Sequence, residues 1–174
     1  MVIRKAEERD LPAVARIFAH YVAESVATFE EEPPSVAAWR ARRADLAARG
    51  LPFLVAEADG QVAGYAYAGP WRPKPAYRHT AEDTIYLAPG RTGAGLGRAL
   101  LGELIAGCAA AGVRQVVAVI ADTGDPASEA LHRRAGFEYA GRLTAVGHKH
   151  GRWIDTVLMQ LDLTAATPSA PSGP

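Results

Sequence analysis

The 174-residue sequence predicts one domain with an α/β or α+β layer fold. Short strand-like and helix-like segments alternate along the chain. Asp59-Gly60 separates two apolar segments, as in a tight hairpin, and a long amphipathic segment at 96–111 is followed by an apolar run at 115–120. Its length and its hydrophobic content of 49% are sufficient for a single core without disulfide bonds.

Two helices are predicted before the main part of the sheet. After a first strand at 2–5, Asp10 can cap the first helix. Ser35 can cap the second, which ends at Gly50 and Pro52. At helical spacing, these segments carry Leu11, Val14, Phe18 and Val22 in the first, and Val36, Trp39, Arg43 and Leu46 in the second.

The middle of the chain predicts a hairpin, a loop and a further strand. Residues 53–58 and 61–67 flank Asp59-Gly60, a pair that favours a type I′ turn. Residues 70–79 form a loop suited to binding, because prolines alternate there with cationic and aromatic side chains. Residues 80–87 predict a strand that ends before Ala88-Pro89-Gly90.

The remaining elements follow the same alternation. In order, the sequence predicts a helix at 96–111, a central strand at 115–120 that is buried on both faces, a short helix from Asp125-Pro126 to Ala135, strands at 137–143 and 153–163, and a disordered Pro/Ser/Ala tail at 164–174. The folded domain is therefore predicted to span residues 1–163.

Composition excludes several classes of protein. Nineteen Lys and Arg residues balance nineteen Asp and Glu residues, which argues against a nucleic-acid-binding or membrane-surface protein. Cys108 is the only cysteine, so no intramolecular disulfide can form, and we expect a cytoplasmic protein. No signal peptide or membrane-spanning segment is expected.

A glycine-rich loop, Gly93-Ala94-Gly95-Leu96-Gly97, lies between a predicted strand and the long helix. Free backbone N–H groups and the positive end of the helix dipole would suit a phosphate there. A Walker A loop is excluded, because Leu96-Gly97 stand where Lys and Ser/Thr are required. A dinucleotide fingerprint also fails, since Arg98 or Leu100 occupies its last glycine position, although Asp122 after the next strand imitates the ribose-binding acid and keeps a dinucleotide as a minor alternative. A simple glycine-rich turn is the alternative.

Three motifs follow one another along the chain: Leu87-Ala88-Pro89, then Gly95-Leu96-Gly97 at the start of the long helix, then residues 131–137, Leu-His-Arg-Arg-Ala-Gly-Phe. Their order resembles the GCN5-related N-acetyltransferase (GNAT) superfamily. Residues 66–71, 80–86 and 149–155 resemble the phosphinothricin and methionine sulfoximine N-acetyltransferases in particular. Two positions depart from the usual pattern, namely Thr92 at the start of the loop and Asp125 after the second central strand.

The resemblance implies a GNAT fold, with a mixed, mostly antiparallel central sheet and helices on both faces. It also implies acetyl-coenzyme A as cosubstrate and no metal. The loop amides would hold its pyrophosphate, and the residues expected to bind it are Ile85, Leu87, Gly93, Ala94, Gly95, Leu96, Gly97, Arg98, Asp125 and Ser128.

Two catalytic residues follow from the same resemblance. Glu82 would accept the proton of the acceptor amine, directly or through water; alternatively it is a solvated carboxylate at the start of a strand. His132 stands where many superfamily members have a tyrosine that protonates the leaving sulfur, and an imidazole can also do this. His132 could instead line the helix interface.

The acceptor expected from the resemblance is a small, glutamate-like amino acid. Its binding residues would be Phe29, Tyr67, Arg72, Lys74 and Tyr77. A solvated basic loop and a core aromatic are the alternatives for the cationic cluster and for Phe29. His148 and His150 lack further ligands for a metal, and we expect them to pack or to contact a second subunit of a homodimer.

Two other functions compete with this interpretation. A non-catalytic acyl-coenzyme A sensor would keep the glycine loop but would not need Glu82. A peptide or protein N-acetyltransferase would need an open groove, whereas the loop at 71–77 is suited to closing over a small ligand. Cys108 lies on the apolar stripe of its helix, so direct attack on the thioester is expected rather than an acetyl-cysteine route.

Overall fold

The computed structural model describes residues 1–164, which form seven strands and four α-helices. The strands are β1 (Val2–Lys5), β2 (Phe53–Ala58), β3 (Gln61–Pro70), β4 (Thr80–Leu87), β5 (Gln115–Ala121), β6 (Glu138–Lys149) and β7 (Arg152–Asp162). The helices are α1 (Leu11–Glu24), α2 (Val36–Ala48), α3 (Leu96–Ala110) and α4 (Ala127–Arg134). The predicted tail lies outside the described residues, apart from Thr164.

The strands form one open sheet in the order β1-β2-β3-β4-β5-β7-β6. All neighbouring strands are antiparallel except β4 and β5. These two pair in parallel over only three positions, from Thr80↔Gln115 to Glu82↔Val117, and are unpaired beyond that point. The prediction of a mixed, mostly antiparallel sheet is confirmed.

Helices cover both faces of this sheet. On one face, α1 and α2 bury Phe18 and Trp39 against Tyr65 of β3. On the other face, α3 buries Leu100 and Leu104 in a cluster that includes residues of β5 and β7. Each of these three helices therefore directs an apolar stripe at the sheet, as the spacing predicts.

Several local signals act as predicted. The Ser35 hydroxyl accepts a hydrogen bond from the Ala38 backbone N–H at 3.1 Å, which caps α2. Asp59 and Gly60 both have positive φ, 53° and 70°, and join β2 to β3. The Asp125 side chain accepts from the Ala127 N–H at 2.9 Å at the start of α4.

The first half of the chain departs from the prediction in two places. Asp10 does not cap α1 with its side chain; its buried carboxylate instead accepts hydrogen bonds from the Glu7 N–H and from the Arg4 guanidinium. The third strand continues to Pro70 instead of ending at Tyr67, because its pairing with β4 persists to Pro70↔Ala81. The predicted loop is correspondingly shorter.

The second half corrects two further expectations. β5 is buried on one face only, since Val119 is 40% exposed. The strand predicted at 137–143 extends as β6 to Lys149, although its register with β7 shifts between Leu143 and Gly147. His150 and Gly151, with φ of 50° and 70°, form the turn into β7. The pair His-Gly predicts a tight turn less strongly than Asn-Gly or Asp-Gly does.

Among residues 1–164, the structure contains no helix with the length and apolar character needed to span a bilayer.

Candidate active site

A cavity of about 530 Å³ opens where β4 and β5 part. Its walls include β4 from Glu82 to Leu87 and β5 from Ala118 to Ala121, which are the segments beyond the last paired residues. Because the strands no longer bond to each other there, the space between them is available to a ligand.

The cavity reaches both faces of the sheet. Side chains alternate along a strand, and Tyr86 of β4 packs in the cluster with α1 and α2. Ile85 and Leu87 pack in the cluster with α3 instead. Glu82 therefore faces the α1–α2 side of the sheet, together with Tyr86, whereas Asp83 faces the α3 side.

Glu82 is a half-buried carboxylate in the cavity wall. Burial raises the pKa of its carboxyl, the adjacent charge of Asp83 raises it further, and Arg72 opposes both effects. Within residues 1–164, no cation or hydrogen-bond donor is paired with this carboxylate. Glu82 is thus placed to exchange a proton with a molecule in the cavity.

His132 and Asp83 form a buried pair on the opposite side. His132 Nε2 lies 2.9 Å from Asp83 Oδ2, and His132 Nδ1 lies 2.7 Å from the Ser128 carbonyl oxygen. A carbonyl only accepts, so Nδ1 carries a hydrogen, and the Nε2–Oδ2 contact needs one more proton. Burial alone would lower the pKa of His132, but the hydrogen bond and charge of Asp83, with the Ser128 carbonyl, raise it overall.

The glycine loop lies at the N-terminus of α3. Gly93 and Gly95 have φ of 85° and 76°, conformations that favour glycine, and a Cβ at either position would meet no atom within 4 Å. The N–H groups of the first turn have no partner within the helix, and no side chain caps it at Gly95. Thr92, which precedes Gly93, lines the cavity, so the loop lies at the cavity edge.

Other residues predicted to bind the cosubstrate lie around the same space. Ile85, Leu87, Asp125 and Ser128 line the cavity. Ala94 and Arg98 are exposed on the loop and on the first turn of α3, and Leu96 is buried beneath them. A Cβ on Gly97 would lie 3.5 Å from Leu131 and 3.6 Å from Leu87, which is ordinary van der Waals contact, so α3 packs against β4 and α4 at this position.

The residues predicted to bind the acceptor are divided between two places. Phe29 and Tyr67 line the cavity. Arg72, Lys74 and Tyr77 are exposed on the segment between β3 and β4 and are not part of the wall. The Arg72 guanidinium lies over the Trp71 ring, 5.0 Å from its centroid.

Arg42 was not predicted, although it lines the cavity. It follows Trp39 by three positions on α2, and its guanidinium lies over the Trp39 ring at 4.9 Å. Spacing alone could have placed both side chains on one helix face. The prediction instead placed Arg43 there, whose Nε donates to the Ala6 carbonyl at 2.8 Å.

The connection between α1 and α2, which carries Phe29, is fastened to β6. A Cβ on Gly147 would lie 2.4 Å from the Phe29 ring, so the ring rests directly on this glycine. The buried Lys149 ammonium donates to the Ser25 and Thr28 carbonyls, both at 2.9 Å. Burial lowers the pKa of Lys149, and Glu31 and Glu30 partly oppose this effect. No sequence signal indicated these contacts.

Cys108 lies in the core on α3, where burial raises the pKa of its thiol to about 12. It is not among the residues that line the cavity, and its thiolate is strongly disfavoured. The described residues contain no group of three His, Cys, Asp or Glu side chains arranged to hold a metal ion.

Known proteins of one family are similar to this chain over most of its length. The acetyltransferase (GNAT) domain family matches residues 3–158. Phosphinothricin N-acetyltransferase of Alcaligenes faecalis is 50% identical over 169 residues, covering 97% of this chain and 86% of that protein. L-methionine sulfoximine/L-methionine sulfone acetyltransferase of Pseudomonas aeruginosa is 42% identical over 170 residues, covering 97% and 98%.

A solved structure is similar over nearly the whole chain. A GNAT superfamily phosphinothricin acetyltransferase from Sinorhizobium meliloti, in complex with acetyl-coenzyme A, has a TM-score of 0.90 and 45% identity, covering 98% of this chain and 94% of that one. The fold of this chain and its similarity to these proteins identify it as an acetyltransferase. The chain belongs to the acetyltransferase (GNAT) family, and it uses acetyl-coenzyme A as its cosubstrate.

Proposed function

We propose that this enzyme transfers the acetyl group of acetyl-coenzyme A to the α-amine of a small, glutamate-like amino acid of the phosphinothricin or methionine sulfoximine type. One observation carries the proposal: the unpaired Glu82 carboxylate lies in the wall of the cavity between β4 and β5. The names of two similar proteins support the choice of acceptor.

The residues present fit this cosubstrate. The open, positive-φ loop at Gly93 and Gly95 offers backbone N–H groups to a pyrophosphate, and unpaired strand edges flank the cavity. Acetyl-coenzyme A supplies an acetyl group on a thiol that can leave. Pyrophosphate binding at the loop would orient that end of the cosubstrate at the edge of the cavity.

Glu82 is proposed to accept the proton that the amine loses as its nitrogen bonds to the acetyl carbon. The carbon–sulfur bond breaks in the same transfer, and the sulfur needs a proton. A raised pKa suits Glu82 to this role, because proton acceptance is most effective when the base titrates nearer the working pH.

His132 is proposed to supply the proton that the sulfur needs. The imidazolium would release the proton of Nε2, which it shares with Asp83, while Nδ1–H stays bonded to the Ser128 carbonyl. The neutral imidazole keeps only the Nδ1–H bond to the Ser128 carbonyl, so Nε2 must take up a proton again before its hydrogen bond with Asp83 is restored. Asp83 supports this role because its charge keeps His132 protonated despite burial.

A turnover assay tests the proposed function. Acetyl-coenzyme A consumption is measured with phosphinothricin, methionine sulfoximine, methionine sulfone, lysine and short peptides, for the wild type and for Glu82→Gln. We expect turnover with the glutamate-like acceptors and its near loss in the variant. Acetyl-coenzyme A binding without turnover would identify a sensor, and preferred peptide acetylation would identify a protein N-acetyltransferase.

We also propose that the enzyme is a homodimer that joins through the β6–β7 hairpin. This hairpin exposes four large apolar side chains, Tyr139 (64%), Leu143 (48%), Val146 (54%) and Trp153 (71%). The His148 ring lies 4.7 Å from the Trp153 ring. Light scattering should give twice the chain mass for the wild type and the single mass for Trp153→Lys; a monomeric wild type contradicts this proposal.

We propose a cytoplasmic location. The single buried cysteine supports it, because a chain without disulfides suits a reducing compartment. Fractionation of cells that express the chain from its own gene tests this proposal, and recovery outside the cytoplasm would contradict it.

A further inference from the structure

We propose that Arg42 binds the polar far end of the acceptor side chain and so selects glutamate-like amino acids. This inference rests on the proposed function and assigns the group that recognises its acceptor. The chemical class recognised is an anionic or strongly polar oxygen, as in a carboxylate, a phosphinate or a sulfone.

The Arg42 guanidinium is held in place by its surroundings. Its Nη1 donates to the Tyr67 hydroxyl at 3.0 Å, and its Cζ lies 4.9 Å and 5.5 Å from the ring centroids of Trp39 and Tyr67. Trp39 is itself buried in the core. A guanidinium fixed in this way loses little conformational entropy when it binds a ligand.

Arg42 differs from its neighbours because it brings a positive charge to the cavity wall. Among the described residues that line the cavity, Arg42 is the only arginine or lysine. The neighbouring arginines on α2 are engaged elsewhere, because Arg40 pairs with Glu8 and Arg43 donates to the Ala6 carbonyl. Arg42 forms no ion pair within residues 1–164, so its remaining N–H donors are available to an oxygen in the cavity.

The register of the sheet separates the strand position of Tyr67, whose hydroxyl Arg42 contacts, from that of Glu82. Tyr67 pairs with Thr84, and Gly69 pairs with Glu82. Glu82 and Thr84 share a face of β4 and are two residues apart, which corresponds to about 6.6 Å along a strand. In the proposed arrangement, an acceptor whose amine meets Glu82 presents the end of its side chain to Arg42.

This position also separates Arg42 from Arg72. Arg72 is near enough to Glu82 to lower the pKa of its carboxyl, whereas Arg42 has no such effect. The α-carboxylate of an acceptor stays next to its amine, so Arg42 is too distant to recognise it. Arg42 should consequently affect which acceptor side chains are preferred. It should not affect whether the acceptor needs an α-carboxylate.

The test compares two acceptors that share the amino-acid head and differ at the end of the side chain. Methionine sulfone carries two oxygens there, and methionine carries none. Arg42→Met is the main variant, and Arg42→Lys keeps the charge but loses the fork. Arg40→Met is the matched control, because Arg40 lies on the same helix and outside the cavity wall.

We expect Arg42→Met to raise KM for methionine sulfone about 10- to 100-fold, with a much smaller change for methionine and for acetyl-coenzyme A. The KM of Arg42→Lys for methionine sulfone should lie between those of the wild type and Arg42→Met, and the KM of Arg40→Met should match the wild type. Thermal unfolding confirms that the variants are folded. Equal losses with both acceptors, or no loss with either, would overturn the assignment of Arg42.

A separate outcome concerns the proposed function itself. If the wild type acetylates methionine but does not favour methionine sulfone, the Arg42 assignment fails and the amino-acid N-acetyltransferase survives. If the wild type acetylates no free amino acid, the proposed function fails, and the Arg42 assignment fails with it.

Discussion

His132 Nε2 lies 2.9 Å from Asp83 Oδ2, and both side chains are almost fully buried, with exposures of 3% and 2%. The other oxygen of Asp83 is buried and has no hydrogen-bond partner within the described residues. The two residues are 49 positions apart, on α4 and β4, so their contact closes the α3 side of the cavity. An imidazole held in this way has a fixed orientation, and its pKa is raised above the ordinary value.

Asp83→Asn should lower the pKa of His132 below its ordinary value of 6.5. The substitution removes the charge that opposes burial, while the Ser128 carbonyl remains. NMR titration of the His132 ring measures the shift. An unaltered titration would mean that Asp83 does not hold the proton on His132.

The same variant should show how the pair contributes to stability. Because the folded-state pKa of His132 is raised, the contribution is complete below about pH 6.5 and is lost as the pH rises through the folded-state pKa. The loss in free energy of unfolding for Asp83→Asn should reach about 1–3 kcal/mol at about pH 5 to 6 and become smaller as the pH rises through the raised pKa of His132. A loss that does not vary with pH would contradict the ion pair.

Glu82→Gln should reduce kcat by roughly 10²- to 10⁴-fold, because the amide cannot accept the amine proton. Acceptor KM should change much less, since shape is kept. In the wild type, the acid limb of the kcat/KM profile should lie above the usual range of a glutamate, because the pKa of Glu82 is raised. A variant with near-normal kcat would make Glu82 a merely structural carboxylate.

Gly147→Ala should displace Phe29, because the new Cβ would lie 2.4 Å from its ring. We expect an unfolding free energy about 1–3 kcal/mol lower and a raised KM for the acceptor, with acetyl-coenzyme A affinity unchanged. Denaturant titration and steady-state kinetics measure these effects. The double variant with Phe29→Ala is the control, since it should recover part of the stability; additive losses would show that the two residues do not interact.

Gly95→Val should weaken acetyl-coenzyme A binding roughly tenfold, because a β-branched residue cannot hold a φ of 76° without strain. Calorimetric titration measures the affinity. Gly90→Val is the matched control: Gly90 has the same φ and equally open surroundings but lies outside the first turn of α3. Equal affinities for both variants would exclude the loop from the binding site.

Prediction from sequence succeeded where one segment carries its own signal. The Ser35 cap and the Asp59-Gly60 turn depend on adjacent residues, and both formed as expected. The prediction that the strand at 115–120 is buried on both faces was wrong in part, because Val119 is exposed. An apolar strand that lines a cavity has the same composition as one buried on both faces. Strand pairing, which decides between these cases, is not a local property.

The cavity wall that contains Phe29 and Arg42 illustrates what could not be predicted. Lys149 and Ser25 are 124 positions apart, and nothing in either segment indicates that a lysine ammonium meets those carbonyls. The contact between Gly147 and Phe29 depends on the same docking of β6 against the connection. Arg42 is similar, because its role depends on Tyr67 from another element.

The early end of the β4–β5 pairing also limits how this enzyme can be engineered. An obvious way to raise thermal stability would be to extend the pairing of β4 and β5, since each added backbone hydrogen bond joins the two parts of the sheet more firmly. Here every such bond would close part of the cavity between the two strands. Thermostable variants should therefore be sought away from this seam, in the helices and on the outer strands, where rigidity and turnover do not compete.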